Sequence, residues 1–172
     1  MVEIFRFYGG VHPKQEKLAK GVAIEYAPLL ERYTVPLQMH IGAPARLLVQ
    51  KGSKVLRGQL LAEAGGFVSA NIHSPTSGTI KDVTTCLGVT GTQWQAVIIE
   101  SDGEDTAVDP LPPITDWQEA DPEVLKKRIA EAGIVGMGGA AFPTHVKLSP
   151  PEDATIDTLI INGVECEPCL TA

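Results

Sequence analysis

Two segments of this chain carry residue types that could do chemistry: Gly136-Met137-Gly138-Gly139-Ala140-Ala141-Phe142-Pro143-Thr144-His145-Val146-Lys147, and beyond it Asn162-Gly163-Val164-Glu165-Cys166-Glu167-Pro168. Gly136, Gly138 and Gly139 leave a backbone bare enough for several N–H groups to meet one phosphate, and Lys147 downstream can add a point charge. Asn162, Glu165 and Glu167 then offer donors and acceptors for a sugar or a heterocycle. Glu165 and Glu167 alternate, so on a strand end they share a face, an arrangement that suits a ligand and solvent equally. The pair of segments reads as a nucleotide-cofactor site, and with Ala172 following so soon after Glu167 the chain is expected to be a fragment of a longer protein.

The order of elements around the glycines narrows the class of phosphate cradle. Asp121-Pro122-Glu123 supplies a cap, a first-turn proline and a first-turn acid, and Val124, Leu125, Ile129 and Ala132 recur at helical spacing until Gly133 closes the helix. Pro143-Thr144 is expected to open a second short helix carrying Lys147, and Thr158–Asn162 to be a buried strand. A dinucleotide fingerprint sits between a strand and a helix, whereas these glycines follow a helix. Gly139 stands where a Walker A loop needs lysine before serine or threonine. The loop belongs to another class.

Upstream, residues 35–101 read as a compact β module of short apolar runs broken by Gly, Pro and Ser. Candidate strands are Arg46–Val49, Gln59–Ala64, Phe67–Ile72, Thr79–Val83 and Ala96–Glu100. Residues 1–34 are an N-terminal extension. Residues 102–120, with Asp109-Pro110 and Pro112-Pro113, form a linker, and 121–172 begin a second domain.

Composition excludes several classes. With 172 residues, 44% of them hydrophobic, the chain can build one domain or two small ones, and a net charge of −7 disfavours nucleic acid as a partner. No apolar run is long enough for a membrane span and the N-terminus lacks a signal-peptide pattern, so a soluble, cytosolic chain is expected, reaching a membrane only through partners. Cys86, Cys166 and Cys169 form no disulfide framework. His12, His40, His73 and His145 show no metal-site spacing, so no metal site is expected and none of them is assigned catalysis. Lys127 and Glu131 form an i,i+4 pair on a solvated face, and Trp94 and Trp117 are expected to pack against the last strand and the linker.

Lys51-Gly52-Ser53-Lys54-Val55-Leu56-Arg57-Gly58-Gln59-Leu60-Leu61-Ala62-Glu63 and Ser74-Pro75-Thr76-Ser77-Gly78-Thr79-Ile80 are similar to the two halves of biotinyl/lipoyl carrier domains. The resemblance implies a barrel-sandwich hybrid. Carriers hold a lysine at the tip between the halves, but here the tip is Ala64-Gly65-Gly66-Phe67-Val68-Ser69, so a scaffold or docking module is expected instead of a swinging arm.

Four segments together, namely Phe7–Pro13, Gln38–Ala45, the lipoyl-like stretch and Gly133–Leu148 with its sequel Asn162–Thr171, make the chain resemble the C component of the Rnf-type ion-translocating ferredoxin:NAD oxidoreductases. The last segment is also similar to the flavin-bearing subunit of respiratory complex I. The fold implied is α+β: a lipoyl-like barrel followed by the start of an α/β FMN/NADH-binding domain. The resemblance places Gly136, Gly138, Gly139 and Lys147 on the FMN phosphate side, Asn162, Glu165 and Glu167 on the ribityl and nicotinamide side, and Phe142 near the NADH rings. It implies FMN and NAD(H) as cofactors of the full-length protein, [4Fe–4S] clusters in a C-terminal region that these residues do not include, and partners among membrane subunits and a ferredoxin-type carrier. It also implies a peripheral position on the cytoplasmic face of the membrane. Cys166-Glu167-Pro168-Cys169 is one C-x-x-C pair and cannot supply four thiolates. A non-catalytic docking module, and a related flavoprotein such as cobalamin reductase, are the alternatives; in the latter the lipoyl-like part follows the flavin part, the reverse of the order here.

Overall fold

A computed structural model describes residues 9–10, 14, 17–151 and 153–161. The chain divides into one unit of Pro28–Ala154 and a second that gathers Met1–Ala27 and Thr155–Ala172. Everything regular among the described residues lies in the first unit. It contains β1 (Arg32–Pro36), β2 (Arg46–Leu47), β3 (Lys54–Val55), β4 (Leu60–Glu63), β5 (Ile72–His73), β6 (Gly78–Leu87), β7 (Gln93–Ser101), α1 (Pro122–Glu131) and α2 (Thr144–Lys147).

The strands form two antiparallel sheets, one ordered β1-β7-β6-β3 and the other β2-β4-β5. The two small sheets share one core, to which both contribute apolar side chains. Val35, Leu37, Val55, Leu61, Ile72, Ile80, Val97 and Ile99 meet in one buried cluster, each side chain of this size contributing roughly 1.5–3 kcal/mol by leaving water. β6 shifts register between Ile80 and Asp82, a bulge that bends the long β6–β7 ribbon around this core. The result is the barrel-sandwich hybrid that the lipoyl-like halves imply.

The strand limits differ from the sequence expectation in instructive ways. β7 starts at Gln93, ahead of the expected Ala96, and β1 and β3 lie outside the expected set. Of Phe67–Ile72 only Ile72 is in a strand. The preceding residues fold instead into a tip whose hydrogen bonds go to a neighbouring loop: Ala43 N–H donates to Val68 O (2.9 Å), the Ser69 hydroxyl donates to Ala43 O (2.7 Å), and Gly65 N–H donates to Ser69 Oγ (2.9 Å). Gly42, at φ +94°, sits so close beneath this tip that a Cβ would collide with the Val68 carbonyl. Phe67 itself is exposed.

Part of the Pro-rich stretch is a strap on the barrel. Arg57 N–H donates to Thr106 O (2.9 Å), Val108 N–H donates to Arg57 O (3.0 Å), and the Arg57 guanidinium pairs with Asp105 at 2.9 Å. The buried Ser77 hydroxyl donates to Asp102 Oδ1 (2.6 Å) and accepts from Thr106 N–H (2.9 Å). That hydroxyl, followed by the Glu104 amide, holds the Asp102 carboxyl below the usual carboxylate range. Trp94 packs over Gly88 as expected of a ribbon residue, whereas Trp117, expected to pack against the linker, is 59% exposed.

Thr158–Ile161, expected from sequence to be part of a buried strand, is neither strand nor buried, with Leu159, Ile160 and Ile161 all exposed. An apolar strand is stable only when a neighbour takes up its N–H and C=O groups and a layer covers its face. Among the described residues no strand pairs with it.

Candidate functional site

α1 begins where the sequence predicts. The Asp121 carboxylate accepts from Glu123 N–H at 2.9 Å, Pro122 fills the first turn, and Lys127 lies 3.8 Å from Glu131 on the outer face. Its end is built by Gly133 at φ +67°: Gly133 N–H donates to Ala130 O and Ile134 N–H to Ile129 O, which reverses the chain. Val135 and Pro143 then face each other as an antiparallel bridge, Gly136 N–H donates to Phe142 O (2.8 Å), and Thr144 N–H donates to Ile134 O (3.0 Å). These bonds close the neck of a loop whose tip is Met137–Ala141.

At that tip Ala141 N–H donates to Gly138 O (2.9 Å) and Ala141 adopts φ +43°, a conformation that costs a residue with a Cβ on the order of 1 kcal/mol or more. The amides of Met137, Gly138, Gly139 and Ala140 take no partner among the described residues. Gly138 and Gly139 face open space, so neither packing nor a left-handed backbone requires glycine there. What the missing side chains leave is room beside N–H groups that are unpaired among the described residues.

Lys147, on α2, completes this arrangement. Its Nζ lies 2.6 Å from where a Cβ on Gly136 would stand, which lays the ammonium across the neck of the loop. It has no ion pair among the described residues. The fold therefore brings Gly136, Gly138, Gly139 and Lys147 together. Phe142 sits half-buried at the neck. Asn162, Glu165 and Glu167 lie outside the described residues, as do His12, Cys166 and Cys169.

The loop also forms one wall of a cleft of about 600 Å³. The opposite walls come from the barrel: Met39, His40 and Ile41 before β2, and Leu87, Val89 and Trp94 around the β6–β7 turn. Nothing in their sequence spacing assigns these residues to a site. His40 is 6% exposed; its Nδ1–H donates to Ile41 O (3.1 Å), while Nε2 is shut off from solvent without a partner among the described residues.

The barrel tip is held against the same segment. Asn71 joins the tip to the end of α1, and His145 Nε2 lies 3.0 Å from Phe67 O with the two rings edge to face at 6.0 Å. Among the described residues there is no cluster of three or more metal-ligating side chains, and no helix long and apolar enough to cross a membrane.

Comparison with known proteins matches the barrel and the glycine-loop segment separately. The RnfC barrel sandwich hybrid domain matches residues 5–104, and the Nuo51 FMN-binding domain matches residues 129–172. The chain is 47% identical over 167 residues to the C component of the proton-translocating ferredoxin:NAD(+) oxidoreductase complex of Clostridium ljungdahlii, covering 96% of this chain and 36% of that one. It is 41% identical to the C component of the Na(+)-translocating ferredoxin:NAD(+) oxidoreductase complex of Acetobacterium woodii, covering 96% and 38%. Against the C component of the ion-translocating oxidoreductase complex of Rhodobacter capsulatus the figures are 43% identity, 99% and 33%. The chain thus spans roughly a third of the length of these relatives.

Proposed function

The chain belongs to the RnfC barrel-sandwich hybrid family, and on that premise we propose that it is the N-terminal part of the NADH- and FMN-binding electron-transfer subunit of a membrane-associated, ion-translocating ferredoxin:NAD oxidoreductase. One observation carries this reading: four consecutive amides without partners among the described residues, at a glycine-rich tip beside the Lys147 ammonium, within the residues that match an FMN-binding domain. Unpaired N–H groups and a cation are what a phosphate monoester needs.

The residues present fit the phosphate end of FMN. The amides of Met137–Ala140 bind its oxygens, Lys147 balances its charge, and bare Cα atoms at Gly138 and Gly139 let the phosphate approach the backbone. Asn162, Glu165 and Glu167 orient the ribityl chain and the nicotinamide, with Phe142 beside the NADH rings. When bound, the flavin supplies hydride exchange with NAD(H) and single-electron exchange with iron–sulfur clusters. The protein's part is to bind, orient and keep water out. The [4Fe–4S] clusters belong to a C-terminal region of the longer protein, the redox partner is a ferredoxin-type carrier, and other subunits hold the protein at the cytoplasmic face of the membrane.

Titration of the chain with FMN and with riboflavin tests this. Lys147→Ala weakens FMN about tenfold or more and leaves riboflavin unchanged, because only FMN carries the phosphate. Equal FMN affinity in the variant removes Lys147 from the site, and no flavin binding by the parent chain overturns the reading.

A second reading, that the barrel serves as a fixed docking module, has its own support. The tip that carries a lysine in carrier domains carries none here, and it is tied down by Ala43, Asn71 and His145. Co-purification of the chain with the membrane subunits, unaffected by Lys147→Ala, separates docking from cofactor binding.

A further inference from the structure

The cleft beside the glycine loop has an owner on the barrel side. Resting on the reading above, we propose that the barrel supplies the far wall of the nucleotide site: a planar heterocycle with an N–H next to a carbonyl enters the cleft between Gly139–Ala141 and the Met39–Ile41 loop, and His40 Nε2 accepts that N–H.

Three observations lead there. The first is continuity, because Gly139, Ala140 and Ala141 belong both to the tip whose amides lack partners among the described residues and to the wall of the cleft. A nucleotide whose phosphate sits on the tip therefore has its remaining atoms at the mouth of this cavity. The second is size and chemistry. About 600 Å³ lies within the range of cofactor pockets, and Met39, Ile41, Leu87, Val89 and Trp94 make the walls largely apolar, as a flat ring requires. Leu87 and Val89, 71% and 91% exposed, stand at its mouth, where a bound ring would cover them.

The third is His40. With Nδ1–H committed to Ile41 O, the neutral ring leaves Nε2 as an acceptor, and this atom has lost water without gaining a donor among the described residues. A buried acceptor without a donor is costly to the fold, and a ligand N–H removes the cost. The loop that presents His40 is not free to drift, since Gly42 and Ala43 are pinned to Val68 and Ser69 of the tip. His40 is thus a binding and positioning residue with no proton-transfer role.

Both an isoalloxazine and a nicotinamide carboxamide carry the required N–H, so the test uses both. In the chain with Trp117→Phe, Trp94 is the remaining tryptophan, and its quenching is followed on titration with riboflavin, FMN and NADH. His40→Leu keeps an apolar side chain of similar bulk and deletes the acceptor. Val89→Glu places a charge at the mouth, on a residue exposed enough that folding does not depend on it. Thermal unfolding of each variant verifies the fold.

If the ring is the flavin, both variants weaken riboflavin and FMN by the same factor, about fivefold to tenfold, consistent with one hydrogen bond. If it is the nicotinamide, NADH weakens and riboflavin does not. Either result supports the site and tells the two sources apart. Lys147→Ala lowering FMN affinity while His40→Leu and Val89→Glu change none of the three ligands overturns this proposal and leaves the proposed function standing. Absence of flavin and NADH binding in the parent chain overturns both.

Discussion

The Asn71 side chain bridges the barrel and the first helix beyond it: Oδ1 accepts from Ala64 N–H at 2.9 Å while Nδ2 donates to Glu131 O at 3.1 Å. One amide thus satisfies a donor on the tip of the β module and an orphan carbonyl in the last turn of α1. The glycine loop leaves the helix two residues later, so this contact, together with that of His145 to Phe67, holds it against the barrel.

Asn71→Ala should therefore loosen the join without unfolding either part. The expected loss is about 1–2 kcal/mol of stability, from two hydrogen bonds replaced by water. Hydrogen exchange checks it: faster exchange at Ala64 and through 133–136, with β6 and β7 unchanged, is the expected pattern. Uniform acceleration across β6 and β7 would place Asn71 in the global core instead.

Glycines 133 and 138 should respond oppositely to the same change. Gly133 is at φ +67° and a Cβ there would strike the Asn71 carbonyl, so Gly133→Ala costs about 1–3 kcal/mol. Gly138 faces open space with an ordinary backbone, so Gly138→Ala leaves the melting temperature within a degree or two of the parent. Its effect should fall on FMN affinity, which a flavin titration reads directly.

His73 should make the barrel acid-sensitive. Burial lowers its pKa below the ordinary histidine value of 6.5, so the folded state prefers the neutral ring. Between the lowered value and 6.5 the unfolded chain binds more protons than the folded one, and stability rises with pH across that window. The contribution is complete above 6.5 and disappears as pH falls through the folded value. Thermal midpoints from pH 7.5 to 5 should decline, and His73→Gln should flatten that slope.

Ser77→Ala should release Asp102. The hydroxyl is the leading cause of that carboxyl's lowered pKa and also receives Thr106 N–H. NMR titration should show the Asp102 midpoint moving up toward the ordinary aspartate value. In the parent, the stability linked to Asp102 is present above that value and lost as pH falls through the lowered one; the variant weakens this dependence, the Glu104 amide keeping part of it.

What sequence could reveal follows from how far each signal reaches. The cap at Asp121, the stop at Gly133 and the short helix after Pro143 are local, and each is found where the residues place it. Phe67–Ile72 misled because its apolar residues belong to a tip whose bonds go to Ala43, a partner distant in the chain that no periodicity announces. Thr158–Ile161 misled in a different way, since apolar character alone cannot supply the pairing that makes a strand. In the candidate site, Gly136, Gly138, Gly139 and Lys147 announce themselves by type and spacing. His40 could be found only in three dimensions, because the cleft it lines is assembled from stretches separated by the whole barrel.

The fastening of the Gly65–Val68 turn has a consequence for traffic through the molecule. In carrier proteins the equivalent corner is the travelling end, ferrying a covalently attached group from one centre to another. Here it is a mooring, clasped by Ala43 on one flank and by His145 on the other. Unlike that travelling end, this corner is a fixed joint between the β module and the segment that carries the glycine loop.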